Sequence, residues 1–130
     1  MPSSAGLAVA TGVGIAVAIA YNRLTHKAKG KVRHCVMGKF TPEATAEQKK
    51  AMVDAIYRME KELDIIVACE CALDLGIDPS GNSFCATLDF KSEDDYKTYA
   101  KHEVHQQVIA TYIKPILAPG SRNASQILLK

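Results

Sequence analysis

FCATLDFKSEDDYKTYAKHEVHQQVIATYI, residues 84–113, decides the fold. Its first seven residues alternate, with Phe84, Ala86, Leu88 and Phe90 on one parity and Cys85, Thr87 and Asp89 on the other. That is the period of a strand whose two faces meet different surroundings. Ser92 then stands where an N-cap belongs, with Asp95 three residues on. Glu93 and Asp94 supply negative charge to a first turn whose amides lack partners. A helix is therefore predicted from Ser92 onward, carrying Tyr96, Tyr99, His102 and His105 and then an apolar run through Val108, Ile109, Tyr112, Ile113 and Ile116. No other stretch gathers groups able to move protons near neutral pH.

Upstream, residues 32–40 read as a first strand with His34, Val36 and Phe40 on one face and Cys35 and Met37 on the other. Thr45-Ala46-Glu47-Gln48 is a capping box, and Met52, Ala55, Ile56, Met59 and Leu63 then recur every three or four residues as the buried stripe of a surface helix. The methionines in that stripe read as core filler. Residues 65–73 form a second strand, nearly continuous in apolar character apart from Glu70, and Asp78-Pro79-Ser80-Gly81-Asn82 is a turn by composition. After the second helical region, Ala118-Pro119-Gly120-Ser121 breaks the chain and residues 124–129 suit a closing edge strand. The order β-α-β-β-α-β is the ferredoxin-like α+β pattern. Helices on one face of such a sheet leave the other face bare, and covering it calls for a partner.

The chain has 130 residues, the length of one domain, and a formal net charge of +2. No basic stripe interleaved with aromatics is present, so nucleic-acid binding is not expected. Its four cysteines, Cys35, Cys69, Cys71 and Cys85, all fall in predicted strands and none has metal-site spacing. They read as reduced, mostly buried thiols in a reducing compartment, with no metal and no cofactor expected.

Residues 1–22 carry no charged side chain, and residues 5–21 are almost wholly apolar or small. At about 1.5 Å per residue this stretch as a helix reaches about 25–30 Å, enough to cross a bilayer core. Cleaved signals place positive charge before or within the apolar run, whereas here Arg23, His26, Lys27, Lys29, Lys31 and Arg33 follow it. Residues 1–23 are therefore expected to be a single transmembrane anchor and residues 24–31 a basic juxtamembrane linker. The domain at residues 32–130 would then lie on the cytoplasmic, matrix or stromal side. Ala8, Gly12, Ala16 and Ala20, with Ala10, Gly14 and Ala18, repeat small residues at four-residue spacing, which makes shallow grooves for neighbouring membrane helices.

Asp89-Phe90, the Ser92-Glu93-Asp94-Asp95 turn, Tyr99 and His102-Glu103-Val104-His105 before Lys114-Pro115-Ile116-Leu117 resemble the stress-responsive A/B barrel (Dabb) family of dimeric α+β barrels. Arg33-His34-Cys35-Val36-Met37-Gly38-Lys39-Phe40 resembles that family's first strand. The resemblance implies a barrel made by pairing two sheets, as a homodimer or with a related domain. Some members are enzymes. Similarity to the family's cofactor-free olivetolic acid cyclase implies catalytic roles for Tyr99 and His105 and a cavity position for His34, with His102, Phe84 and Tyr96 around the pocket. Phe84 stands where that cyclase has a further histidine, and Glu103-Val104 where it has a proline.

The apolar N-terminal stretch leads to a first expectation: a non-catalytic, membrane-anchored accessory subunit of a larger complex, pairing through its sheet, in a mitochondrial inner or thylakoid membrane. The alternative is a membrane-associated, cofactor-free enzyme acting by acid–base chemistry on an apolar carbonyl substrate. An open cavity on which His34, Tyr99 and His105 converge would favour the enzyme.

Overall fold

The computed structural model describes residues 31–130. The transmembrane anchor expected at residues 1–23, with its small-residue grooves, and the linker up to residue 30 lie outside them. Among the described residues no helix is long and apolar enough to cross a membrane.

Four strands form one antiparallel sheet: β1 (Val32–Gly38), β2 (Ile66–Leu73), β3 (Phe84–Phe90) and β4 (Asn123–Leu128), in the order β2-β3-β1-β4. This is the ferredoxin-like α+β arrangement expected from the order of elements. Helix α1 (Ala46–Glu62) starts at the Thr45 capping box: the Thr45 hydroxyl accepts from the Gln48 amide at 3.2 Å, and Gln48 Oε1 accepts from the Thr45 amide at 2.9 Å. Its buried stripe is Met52, Ala55, Ile56 and Met59. Those side chains meet Phe84, Ala86, Leu88 and Phe90, the parity of β3 read as buried, and together they make one core. Full burial of Phe90, Met52 or Leu88 stabilises the fold by about 1.5–3 kcal/mol each.

The second helical region is not one rod. Helix α2 (Glu93–Lys101) is capped by Ser92, whose hydroxyl accepts from the Asp95 amide at 3.1 Å, and it stops at His102. There the backbone turns extended (φ −66°, ψ 138°), and His102 Nδ1 accepts from the Val104 amide at 3.1 Å to start helix α3 (Glu103–Val108). A five-residue π-helical turn (Ile109–Ile113) and a 3₁₀ turn (Lys114–Ile116) follow. Periodicity alone could not expose the break, because His102 serves as C-cap and N-cap at once.

Three further expectations are corrected. β1 ends at Gly38, and Phe40 instead forms a lone bridge with Leu117. β2 is not buried throughout, since Ala72 and Leu73 at its far end are exposed. Of the cysteines only Cys69 and Cys71 are buried, because Cys35 and Cys85 lie on the opposite parity and point away from the helices.

That outer sheet face is also less apolar than a bare face needing cover was expected to be. Beside Cys35, Met37 and Ala68 it carries Glu70, Thr87, Ser125 and an ion pair. Arg33 grips Asp89 with both ends of its fork, at 2.7 and 2.8 Å, and Asp89 is only 2% exposed. A bidentate pair of this kind satisfies a carboxylate that would otherwise be costly to bury.

Candidate functional site

A cavity of about 390 Å³ opens between the helix-facing side of the sheet and the helical layer, within the range of small-molecule sites. Two features of the sequence make room for it, and a third shapes its rim. Ala86, fully buried at the centre of β3 between Phe84 and Leu88, stops at Cβ where a larger side chain would fill the floor. The π-helical turn inserts extra backbone where α3 would have continued, and Ile109, Ile113 and Lys114 from that widened segment form one wall. At the rim, Gly38 lets Leu117 pack closely: a Cβ built on Gly38 would sit 2.6 Å from Leu117 Cδ1.

His34, Tyr99 and His105 all line this cavity. β1 presents His34 on its helix-facing parity, α2 delivers Tyr99 from its buried side, and α3 delivers His105 in its first turn. The Tyr99 and His105 rings stack with centroids 4.0 Å apart, and the His34 and Tyr99 centroids are 6.2 Å apart. Phe84 also lines the cavity, stacked on Phe40 at 5.4 Å. The other two expected pocket residues do not line it. His102 is spent on the junction between α2 and α3. Tyr96 packs its ring against His34 at 5.1 Å and opens instead onto a shallow groove beside β4.

The protonation states follow from the surroundings. Burial pushes the His34 imidazole down to about 4, with the nearby Arg122 charge and His105 acting in the same direction, so His34 is neutral at pH 7. Its Nδ1 lies 2.8 Å from Gln126 Nε2. With the amide donating, Nδ1 accepts and the proton sits on Nε2, as a hydrogen-bond donor for a ligand. His105 is also held below the usual histidine value, chiefly by burial, against the opposing hydrogen bond to the Ala100 carbonyl. Nδ1–H donates to that carbonyl at 3.3 Å, which leaves the Nε2 lone pair as a base. Burial drives the Tyr99 phenol well above its ordinary value, so it stays a protonated donor.

One base and two neutral donors on an apolar cavity can do a definite kind of chemistry. The base can take a proton from carbon beside a carbonyl, and the donors can stabilise the enolate oxygen that forms. Sequence reasoning found these three but missed Gln126, Lys114 and Arg122. Gln126 was in principle legible, since a polar residue at the inward parity of an edge strand falls opposite His34 across the ladder. Lys114 and Arg122 join the cavity through the π-helical turn and the loop before β4, and neither carries a periodic signal.

The family model for the stress responsive A/B barrel domain (Dabb) matches residues 32–123. No curated protein matches the chain. Among solved structures, a dimeric ferredoxin-like protein of unknown function from Thermobifida fusca superposes with a TM-score of 0.68 at 23% identity, covering 77% of this chain and 92% of that one. Hydroxynitrile lyase from Passiflora edulis gives 0.69 at 13% identity, covering 78% and 95%. A Dabb family protein with a ferredoxin-like fold from Mesorhizobium loti gives 0.64 at 15% identity, covering 78% and 98%. These likenesses at low identity establish the fold, and the family match spans most of the chain. The chain therefore belongs to the stress responsive A/B barrel domain (Dabb) family.

Proposed function

We propose that this protein is a cofactor-free acid–base enzyme acting on an apolar carbonyl compound held between sheet and helices. The carrying observation is that His34, Tyr99 and His105 line one open cavity in complementary protonation states. His105 Nε2 takes a proton from the carbon beside the carbonyl. The C–H electron pair moves toward the carbonyl oxygen, where His34 Nε2–H and the Tyr99 hydroxyl donate to the developing charge. The enolate then returns its electrons to carbon, either taking the proton back from the His105 imidazolium or adding to a second carbonyl carbon whose oxygen receives that proton. That a similar fold serves a hydroxynitrile lyase supports an enzymatic reading over a purely structural one.

Titration of the full-length protein with 2-heptanone, followed by imidazole ¹⁵N signals, tests the reading. Signals of both His34 and His105 are expected to shift together, and to stop responding when Ala86→Leu narrows the cavity floor. Signals that ignore both the ketone and hexanoate in the parent protein would refute it.

The apolar residues 5–21 followed by basic residues support membrane attachment of the same chain, as a single-pass protein of a mitochondrial inner or thylakoid membrane with its domain on the cytoplasmic, matrix or stromal side. The small-residue repeats around Gly12 and Gly14 support a place beside other membrane subunits, which makes the protein a component of a larger complex. The dimeric Thermobifida relative supports pairing through the outer sheet face, with a second copy or a related barrel domain. Alkaline carbonate washing should leave the protein in the pellet. Its release would refute attachment without touching the cavity chemistry.

A further inference from the structure

The cavity has a chemical polarity that the acid–base groups do not explain. Its walls are apolar, from Val36 and Leu88 on the sheet to Ile109 and Ile113 on the helical side. Two side chains lining it carry full charge, Lys114 and Arg122, and both are cations on exposed residues. No aspartate or glutamate lines the cavity, and neither cation forms an ion pair among the described residues. The positive charge of Arg122 reaches inward, where it disfavours protonation of His34 and His105 and opposes the upward push on Tyr99.

The backbone that carries Arg122 is tied down. Gly120 turns it at φ +72°, the Ser121 hydroxyl accepts from the Lys39 amide at 3.1 Å and donates to the Ala118 carbonyl at 2.7 Å, and the Ala118 amide donates to the Lys39 carbonyl at 2.8 Å. Lys114 follows directly on the π-helical turn that forms the wall. Two cations without acidic partners among the described residues, set on fixed backbone around an apolar space, suit a ligand with one negative end and one greasy end.

We propose that the ligand of this cavity is an apolar-tailed carboxylate, an oxo acid rather than a neutral ketone, whose carboxylate is received by Lys114 and Arg122. The assignment rests on the cavity being the working site, and it adds the charge and polarity of the substrate. Entering tail first, such a ligand puts its hydrocarbon against Leu88, Ile109 and Ile113. Its carboxylate offsets the rim cations, and its reactive carbon lies along the path between rim and floor that His34, Tyr99 and His105 line.

Hexanoate and 2-heptanone make the test, because they share a five-carbon tail and a carbonyl and differ only in an oxygen anion against a methyl group. Calorimetric titration of the full-length protein should find hexanoate binding about tenfold more tightly, as charge-assisted hydrogen bonds to two cations would give. The preference should disappear in about 0.5 M salt, where charges are screened within a few Å. A Lys114→Met/Arg122→Met variant should bind hexanoate no better than the ketone, while a parent-like circular dichroism spectrum shows that its fold is intact. Equal or tighter binding of the ketone by the parent protein would overturn the carboxylate assignment and leave the cavity reading standing. Hexanoate binding unaffected by the double variant would do the same. If neither compound bound the parent protein, both would fall together.

Discussion

Gln126 Nε2 lies 2.8 Å from His34 Nδ1, joining β4 to β1 through the one polar pair that faces the helices across that ladder. The contact leaves Nε2 as the nitrogen of His34 that a ligand can use. It makes Gln126, on an exposed edge strand, a positioning residue for the site.

Gln126→Leu should therefore release the His34 tautomer without unfolding the domain. Imidazole ¹⁵N spectra are expected to change from one protonated at Nε2 to a mixture, and proton abstraction beside a bound carbonyl should slow, by less than the roughly hundredfold loss that follows complete removal of a transition-state donor. An unaltered tautomer in the variant would show that the amide does not set it.

Stability should fall in mild acid because of His34. The folded protein holds this group at about 4 against an ordinary value of 6.5, so between those values the unfolded chain binds the extra proton. The stabilisation from burying it neutral is complete above pH 6.5 and drains away as pH falls toward 4, by at most roughly 3 kcal/mol. Urea midpoints measured across this window should drop for the parent protein and stay flatter for His34→Gln. Parallel curves for the two would contradict the assignment.

The acid limb of activity should lie below pH 6.5. His105 must be neutral to accept a proton, and burial keeps it below the usual histidine value. A limb at or above pH 7 would mean that a different group titrates.

Gly38→Ala tests how the rim is built. The added Cβ would meet Leu117 at 2.6 Å and the Phe84 ring at 3.2 Å, so one of them must move. Overpacking of this kind costs about 1–3 kcal/mol. Adding Leu117→Ala should restore most of the lost stability, and failure of that rescue would place the strain elsewhere.

The fold was largely legible because its signals are local. Phe84, Ala86, Leu88 and Phe90 alternate, Thr45 and Gln48 reciprocate, and Ser92 caps, and each behaves in the structure as its spacing predicts. The split of the second helix was not legible. Nothing in a helical period says that His102 will turn extended and cap α3, or that Ile109–Ile113 will widen into a π turn. The same limit governs the site. His34, Tyr99 and His105 stand out by chemical type, and the resemblance to the family drew them together. The volume between them depends on Ala86, where what matters is an absent side chain. Arg122 follows a breaker and reads as loop until the fold brings it to the cavity.

Proton transfer itself offers the most direct measurement: deuterium uptake from D₂O at the methylene between the two carbonyls of methyl 3-oxooctanoate, followed by NMR with full-length protein. Exchange should exceed the buffer rate and fall by about a hundredfold or more in His105→Gln, and by about a hundredfold in His34→Gln and in Tyr99→Phe. Exchange at the buffer rate with the parent protein, or exchange indifferent to the loss of His105, would contradict the acid–base role of the cavity.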